Sequence, residues 1–299
     1  MTNNEDLTVN DLIGNRNNIP AEYVPVKLSS CGKLGLPSVL HIKDYSFDDA
    51  VSLSQMTELN AESVVLNVLN NVCYETIDTN KITIQDAMEI MLTIYGTWHN
   101  STITKTYIDD DGKEKEALIK IGDINTIPIS GTVKFPLKIS GKGKTALFDY
   151  PRIAMVARAK AYVEELYSAS DNRMSSIRHK VLTDKATYEE KNQLKEYENK
   201  KNATFAKCIN ALQIISYNGK TSESIEEKMA WLDDMGIKMF NLSQKSISDK
   251  VRFGIDDNIT FKDGSTGETK IRRLPFRLFD VISIVGYEDD KEYSIAFGE

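Results

Sequence analysis

FGIDDNITFKDGSTGETKIRRLPFRLFD, residues 253–280, is the stretch that decides the fold. Asp263-Gly264 and Thr266-Gly267 supply turn chemistry between an alternating run holding Ile259 and Phe261 and a second run from Thr269 to Leu274. That pattern predicts a β-hairpin. Leu274-Pro275-Phe276 ends it, because Pro275 has no N–H to give to a ladder. The hairpin is expected to hold its shape by strand pairing and by packing Phe261, Leu274 and Phe276.

Upstream of the hairpin, residues 203–250 read as helices. Phe205 to Ile215 is an apolar helical run ended by Asn218-Gly219. Ser222 opens the next helix, whose buried face holds Ile225, Met229 and Leu232. Leu242 to Val251 is a last short helix. Residues 151–202 are also helical. Pro151 suits a first turn, and Ile153, Val156, Ala157, Tyr162, Val163, Leu166 and Tyr167 supply the apolar positions. Residues 170–202 are highly charged, and the later part holds only Tyr188, Leu194 and Tyr197 as large apolar groups. This stretch reads as a solvated helix or as a long helical insertion that meets a partner.

Residues 101–150 form a β-rich segment. Thr102 to Ile108 is expected to pair with Ala117 to Ile121 across Asp110-Asp111-Gly112. Thr132 to Ile139 is another alternating run, placed at an edge or bulge by Pro136. Residues 21–100 carry two strands, Tyr23 to Leu28 and Val39 to Ile42, around a turn at Cys31 to Leu36. Three helices follow, opened by Ser46 with Asp49, by Asn60, and by Thr83 with Asp86. Their stripes include Val65, Val68, Leu69 and Val72, then Ala87, Ile90, Met91 and Ile94. Residues 1–20, with six asparagines, read as a mobile arm. The chain therefore divides into 1–20, 21–100, 101–150, 151–202 and 203–299. The expected fold class is α+β, a mainly helical core with β-hairpins, one of them C-terminal.

Composition narrows function by exclusion. With 41% hydrophobic residues and a net charge of -7, the 299-residue chain supports a substantial core and does not resemble a general nucleic-acid binder. Lys138, Lys142 and Lys144 are the best basic cluster and read as solvated loop lysines. Cys31, Cys73 and Cys208 form no metal or disulfide pattern, and the last two read as small buried hydrophobes. The polar N-terminal stretch has no signal-peptide core, and no window is long and apolar enough for a membrane span. The sequons at Asn100, Asn202, Asn241 and Asn258 carry no information without secretion.

No motif demands chemistry. Gly143-Lys144-Thr145 matches the end of a phosphate-binding loop, but Lys138 stands where the shaping glycine belongs. A nucleotide-dependent enzyme using Lys144 and Thr145 is thus the weakest of three functional readings. His41, His99 and His179 sit at no metal-ligand spacing and read as structural. Asp109-Asp110-Asp111-Gly112 reads as a hairpin tip rather than a calcium loop. Trp98 and Trp231 read as core residues in preference to interface anchors. No catalytic, cofactor-binding or metal residue is assigned, and no enzyme activity is expected.

Several short motifs carry a resemblance. Val26-Lys27-Leu28-Ser29-Ser30-Cys31-Gly32 matches an opening V-x-L-P-S-x-G, with Ser29 in place of proline. Ile82-Thr83-Ile84-Gln85-Asp86 starts a helix, and Ile214 to Gly219 matches an I-x-x-[IL]-[DN]-G turn with Tyr217 as a departure. Phe253-Gly254-Ile255, the hairpin and Leu274-Pro275-Phe276 follow in order. Over residues 21–100 and 203–280 the chain resembles the T-even-type phage baseplate hub proteins and their prophage relatives. Many of those carry a C-x-x-C-G knuckle in the tail hairpin. Here Asp263 and Thr266 stand in those places, so no zinc is expected. The resemblance implies a non-enzymatic structural protein of a contractile tail, at the baseplate hub or inner baseplate. It would be made in the host cytoplasm, incorporated in the virion, and docked on other tail and baseplate proteins. The alternative is an assembly chaperone for the hub or tape-measure protein, absent from mature virions.

Overall fold

The computed structural model describes residues 19–57, 60–100, 102–132, 134–276, 278 and 281. Most of the expected N-terminal arm, and the chain after Val281, lie outside the described residues. The fold is α+β, built of helices and small antiparallel sheets.

Strands β1 (Val24–Lys27) and β2 (Val39–Ile42) pair antiparallel and lie against three helices. These are α1 (Phe47–Ser54), α2 (Ala61–Val72) and α3 (Ile84–Ile94). Ser46 and Asp49 close a reciprocal capping box at α1, and Thr83 accepts from the Asp86 N–H at α3. Each such cap contributes about 1 kcal/mol. Asn60 departs from expectation. It precedes α2, but its side chain makes no cap bond and instead accepts from the Thr57 N–H at 2.7 Å. A π-helical turn, Tyr95–His99, extends α3. Val65, Leu69, Val72, Ile90, Met91 and Ile94 are fully buried in the largest core, and Trp98 packs partly buried against it.

Strands β3 (Thr102–Ile108) and β4 (Glu114–Lys120) form the expected hairpin. Strand β5 (Thr126–Ile127) is short. The expected strand from Thr132 is shorter in the structure. Only β6 (Leu137–Gly141) is extended and paired, starting just after the cis Phe135–Pro136 bond. Proline has no N–H to give to a ladder, so pairing starts beyond it. Strand β7 (Lys144–Phe148) pairs with β6 through a two-residue turn.

Helices α4 (Ile153–Leu182) and α5 (Tyr188–Leu212) run antiparallel. The contacts Tyr167–Thr204, Asp171–Lys201 and Lys180–Glu190 step along them in opposite directions. The charged 170–202 region is therefore a helical hairpin. A second capping box, Thr187 with Glu190, starts its return helix. At the rise of an α-helix, the part beyond Asp171 extends roughly 15–20 Å. Leu182 and Tyr188, 85% and 79% exposed, sit at its tip.

The helix expected to continue to Ile215 stops at Leu212. Ile214–Tyr217 is instead strand β8, held by pairing with β7. Asn218-Gly219 is the turn into β9 (Lys220–Thr221), with φ of 48° and 80°. These values fit the turn that two-residue hairpins prefer. Helix α6 (Ile225–Met235) is capped by Ser224 rather than Ser222. Helix α7 (Ile237–Lys250) begins a turn and a half before the expected Leu242. Trp231 is buried beside Tyr217 in a second core.

The tail forms β10 (Gly254–Ile255), β11 (Asn258–Asp263) and β12 (Thr269–Arg273). The last two are the expected hairpin, and Phe261, Leu274 and Phe276 are buried in the main core. Strand β11 also pairs with β4, giving one sheet of order β12-β11-β4-β3. The tail hairpin and the 101–150 hairpin thus share a sheet that the linear division of the sequence keeps apart.

Candidate functional site

The densest buried polar cluster lies where α3 meets the turn after β1. Thr83 Oγ1 accepts from the Asp86 N–H and donates to Asp86 Oδ2 at 2.7 Å, which turns that carboxyl inward. Asp86 is fully buried, and Ser30 Oγ faces its carboxyl without reaching good hydrogen-bond geometry. One helical turn on, Glu89 accepts from the Ser29 N–H at 2.8 Å and pairs with the Ser29 hydroxyl. Burial pushes both carboxyls up. Glu89 reaches about 7, with the Ser29 bonds opposing the rise and the Asp86 charge adding to it. Arg152, also buried, donates to the carbonyls of Leu34 (2.6 Å) and Lys81 (2.7 Å) and to Asp149 (2.9 Å). It ties the start of α4 to the same turn. Nothing in the sequence marked Arg152, because apart from nearby Asp149 its partners are backbone oxygens of distant loops.

The tail reaches this helix at Gln85. Its Oε1 accepts from the Ile255 N–H at 3.3 Å, and Gly254 lies against its side chain. Gly254 has a φ of +99°, a conformation that favours glycine. Ser29-Ser30, Gln85-Asp86 and Gly254-Ile255 come from three of the quoted motifs, and all three meet on α3. Leu274 and Phe276 of the Leu-Pro-Phe motif enter the same core, whereas Ile214 and Tyr217 of the Ile214–Gly219 motif pack in the second core. The cluster acts as a seam that joins the N-terminal strands, the central helix and the tail. Both Glu89 oxygens and Asp86 Oδ2 accept from protein donors, whereas Asp86 Oδ1 and the Ser30 hydroxyl are buried without a hydrogen-bond partner among the described residues.

A second cluster closes the far end of the four-stranded sheet. Asp263 is buried at the hairpin turn. It accepts from Ser265 N (2.9 Å), Thr266 N (3.1 Å), Tyr107 OH (2.8 Å) and Lys270 Nζ (2.7 Å). Lys270 first, then Ser265 and Tyr107, hold its carboxyl well below the usual range. Asp109 contacts Lys115, Lys270 and Arg272, and Arg272 also grips Asp110. The Asp263 carboxylate is thus filled by protein donors. Among the described residues, no group of three or more His, Cys, Asp or Glu side chains is placed to hold a metal ion.

The other residues singled out in the sequence do not converge. Lys142 (φ 51°) and Gly143 (φ 74°) form the tight β6–β7 turn, so the three lysines expected in a solvated loop sit on a β-hairpin instead. Lys144 is tied to Asp234 at 2.8 Å, while Lys138 and Lys142 are exposed. His41 pairs with Glu75 at 2.6 Å, and His99 pairs with Asp44 at 2.8 Å and stacks on Tyr45. His179 is exposed on α4. Asp109 to Gly112 is a hairpin tip, with Gly112 at φ 72°. Cys73 and Cys208 are buried, and burial pushes the Cys73 thiol up to about 12. No helix among the described residues is long and apolar enough to cross a membrane. Comparison with protein-family models, with curated proteins and with solved structures gives no match.

Proposed function

We propose that this chain is a structural component of a contractile-tailed phage, placed at the baseplate hub or inner baseplate, acting by docking on neighbouring tail proteins. The observation that carries the reading is the meeting on α3 of three of the hub-like motifs. Ser29 of the first motif bonds Glu89, one turn beyond the Ile82–Asp86 motif, and Gln85 of that motif bonds Ile255 of the tail. The helical hairpin fits the same role. It stands off the body and offers Leu182 and Tyr188 at its tip to a partner. No catalytic role is proposed, and the partners are other tail and baseplate proteins.

The hairpin also favours a second reading, an assembly chaperone for the hub or tape-measure protein that leaves before maturation. A projecting arm with apolar groups at its tip suits transient capture as well as permanent docking. Protein composition of finished particles and of assembly intermediates separates the two. Presence in both supports the structural reading, and presence in intermediates alone supports the chaperone.

A further inference from the structure

The sheet β12-β11-β4-β3 curls until its two edge strands face each other. Side chains bridge the gap: Lys105 Nζ reaches the Pro275 carbonyl at 2.6 Å, and Arg272 reaches Asp109 and Asp110 at 2.7 and 2.6 Å. No ladder joins β3 to β12 among the described residues. Between them lies a cleft of about 650 Å³, walled by Lys105, Ile108, Arg272, Arg273, Leu274 and Pro275. Each wall is a strand whose outer row of backbone N–H and C=O groups has no strand partner among the described residues, which is a template for another strand.

We infer that this cleft accepts an extended, acidic segment of a neighbouring protein as an added β-strand. Three features select that occupant. The backbone edges supply sequence-independent affinity, as in other cases of strand addition. Among the described residues the lining contains three cations and no anion. Arg272 is committed to the aspartates of the β3–β4 tip, but Arg273 is 78% exposed and contacts Asp257 only at 3.4 Å, so it can turn to an incoming carboxylate. Finally, Ile108 and Ile271, both 71% exposed, stand on the outer face at the two edges, where alternate apolar side chains of an added strand would cover them. Such a strand runs antiparallel to one edge and parallel to the other, because β3 and β12 themselves run in opposite directions.

The inference deepens the docking reading and rests on it only for where the partner is found. The test is therefore made without particles. Fluorescence anisotropy is measured on the full chain with a labelled peptide of alternating valine and glutamate, about eight residues long, a common strand length. Three comparison probes are used: the lysine counterpart, the glutamate peptide with alternate backbone nitrogens methylated, and the glutamate peptide on Arg273→Glu. Saturable binding of the glutamate peptide is expected, with losses of at least tenfold in each comparison. Equal binding of the methylated peptide would overturn strand addition, and equal binding of the lysine peptide would overturn the acidic partner. A chain cut after Val281 is expected to bind the peptide as the full chain does. Binding gained on that cut would overturn the inference by making residues 282–299 the occupant, and dimerisation lost in Arg273→Glu would do so by making it a second copy. Failure here leaves the baseplate reading standing, and absence from particles leaves the cleft standing.

Discussion

Gly254 presses against the side chain of Gln85, so that a Cβ added at Gly254 would fall 2.5 Å from Gln85 Cδ. The same glycine holds φ at +99°. Gly254→Ala is therefore expected to meet both a clash and a strained backbone, and to lose at least about 2 kcal/mol in urea unfolding. Gly236 is the control. Its φ is +79°, but nothing lies within 4 Å of an added Cβ. Gly236→Ala should lose only the backbone strain, on the order of 1–3 kcal/mol and less than Gly254→Ala loses. Equal losses at the two sites would mean that the Gln85 contact does not hold the tail.

Glu89 should make the protein more stable on the acid side of neutrality. Its carboxyl is raised from 4.5 to about 7 in the fold, so the folded state holds a proton that the unfolded chain releases. Its contribution is fully present below about pH 4.5 and is lost as pH rises through about 7, a change on the order of 3 kcal/mol. Glu89→Gln keeps an acceptor for the Ser29 N–H and a donor for its hydroxyl. The variant is expected to match the parent at pH 5 and exceed it at pH 8. Urea midpoints across that range check this, and a variant curve parallel to the parent's would contradict it.

Asp263 works in the opposite direction. Its carboxyl is held low by Lys270, Ser265 and Tyr107. Its contribution is present above the unfolded carboxylate value and is lost as pH falls below about 4. Asp263→Asn removes the charge that Lys270 faces, so it should lower the melting temperature at pH 6 and flatten the acid limb below pH 4. An unchanged acid limb, followed by circular dichroism, would show that the cluster does not hold the hairpin.

The parts of the fold that were legible in the sequence are those fixed by near neighbours. The Ser46–Asp49 box, the Thr83 cap and the Asp263-Gly264 turn depend on residues within a few positions, and each stands as read. The misreadings have distant causes. Ile214 to Tyr217 continues an apolar helical run, and only pairing with β7 makes it a strand. The seam was hidden for the same reason. Glu89 meets Ser29 across 60 positions, and Asp263 meets Tyr107 across 156, distances over which no periodicity operates. Lys142-Gly143 could have been found from sequence, since a two-residue turn with glycine second between alternating runs is a hairpin signal.

The helical arm should be dispensable for folding. Beyond Asp171 these ion pairs stay within the hairpin, Arg178–Glu198 and Lys180–Glu190 between its two helices and Lys191–Asp184 to the connection between them. Leu182→Glu with Tyr188→Glu changes two exposed side chains and is expected to shift stability by no more than about 0.5 kcal/mol each. The same pair should sharply reduce incorporation into particles. Full incorporation, measured by quantitative mass spectrometry, would remove the arm tip from the docking account.

The most direct test of the central claim is cryo-electron microscopy of finished phage particles, joined to mass spectrometry of the same preparation. The account predicts this chain at a fixed stoichiometry, with density for its helical hairpin at the baseplate hub or inner baseplate. Finished particles that lack the chain, while assembly intermediates contain it, would contradict a virion component.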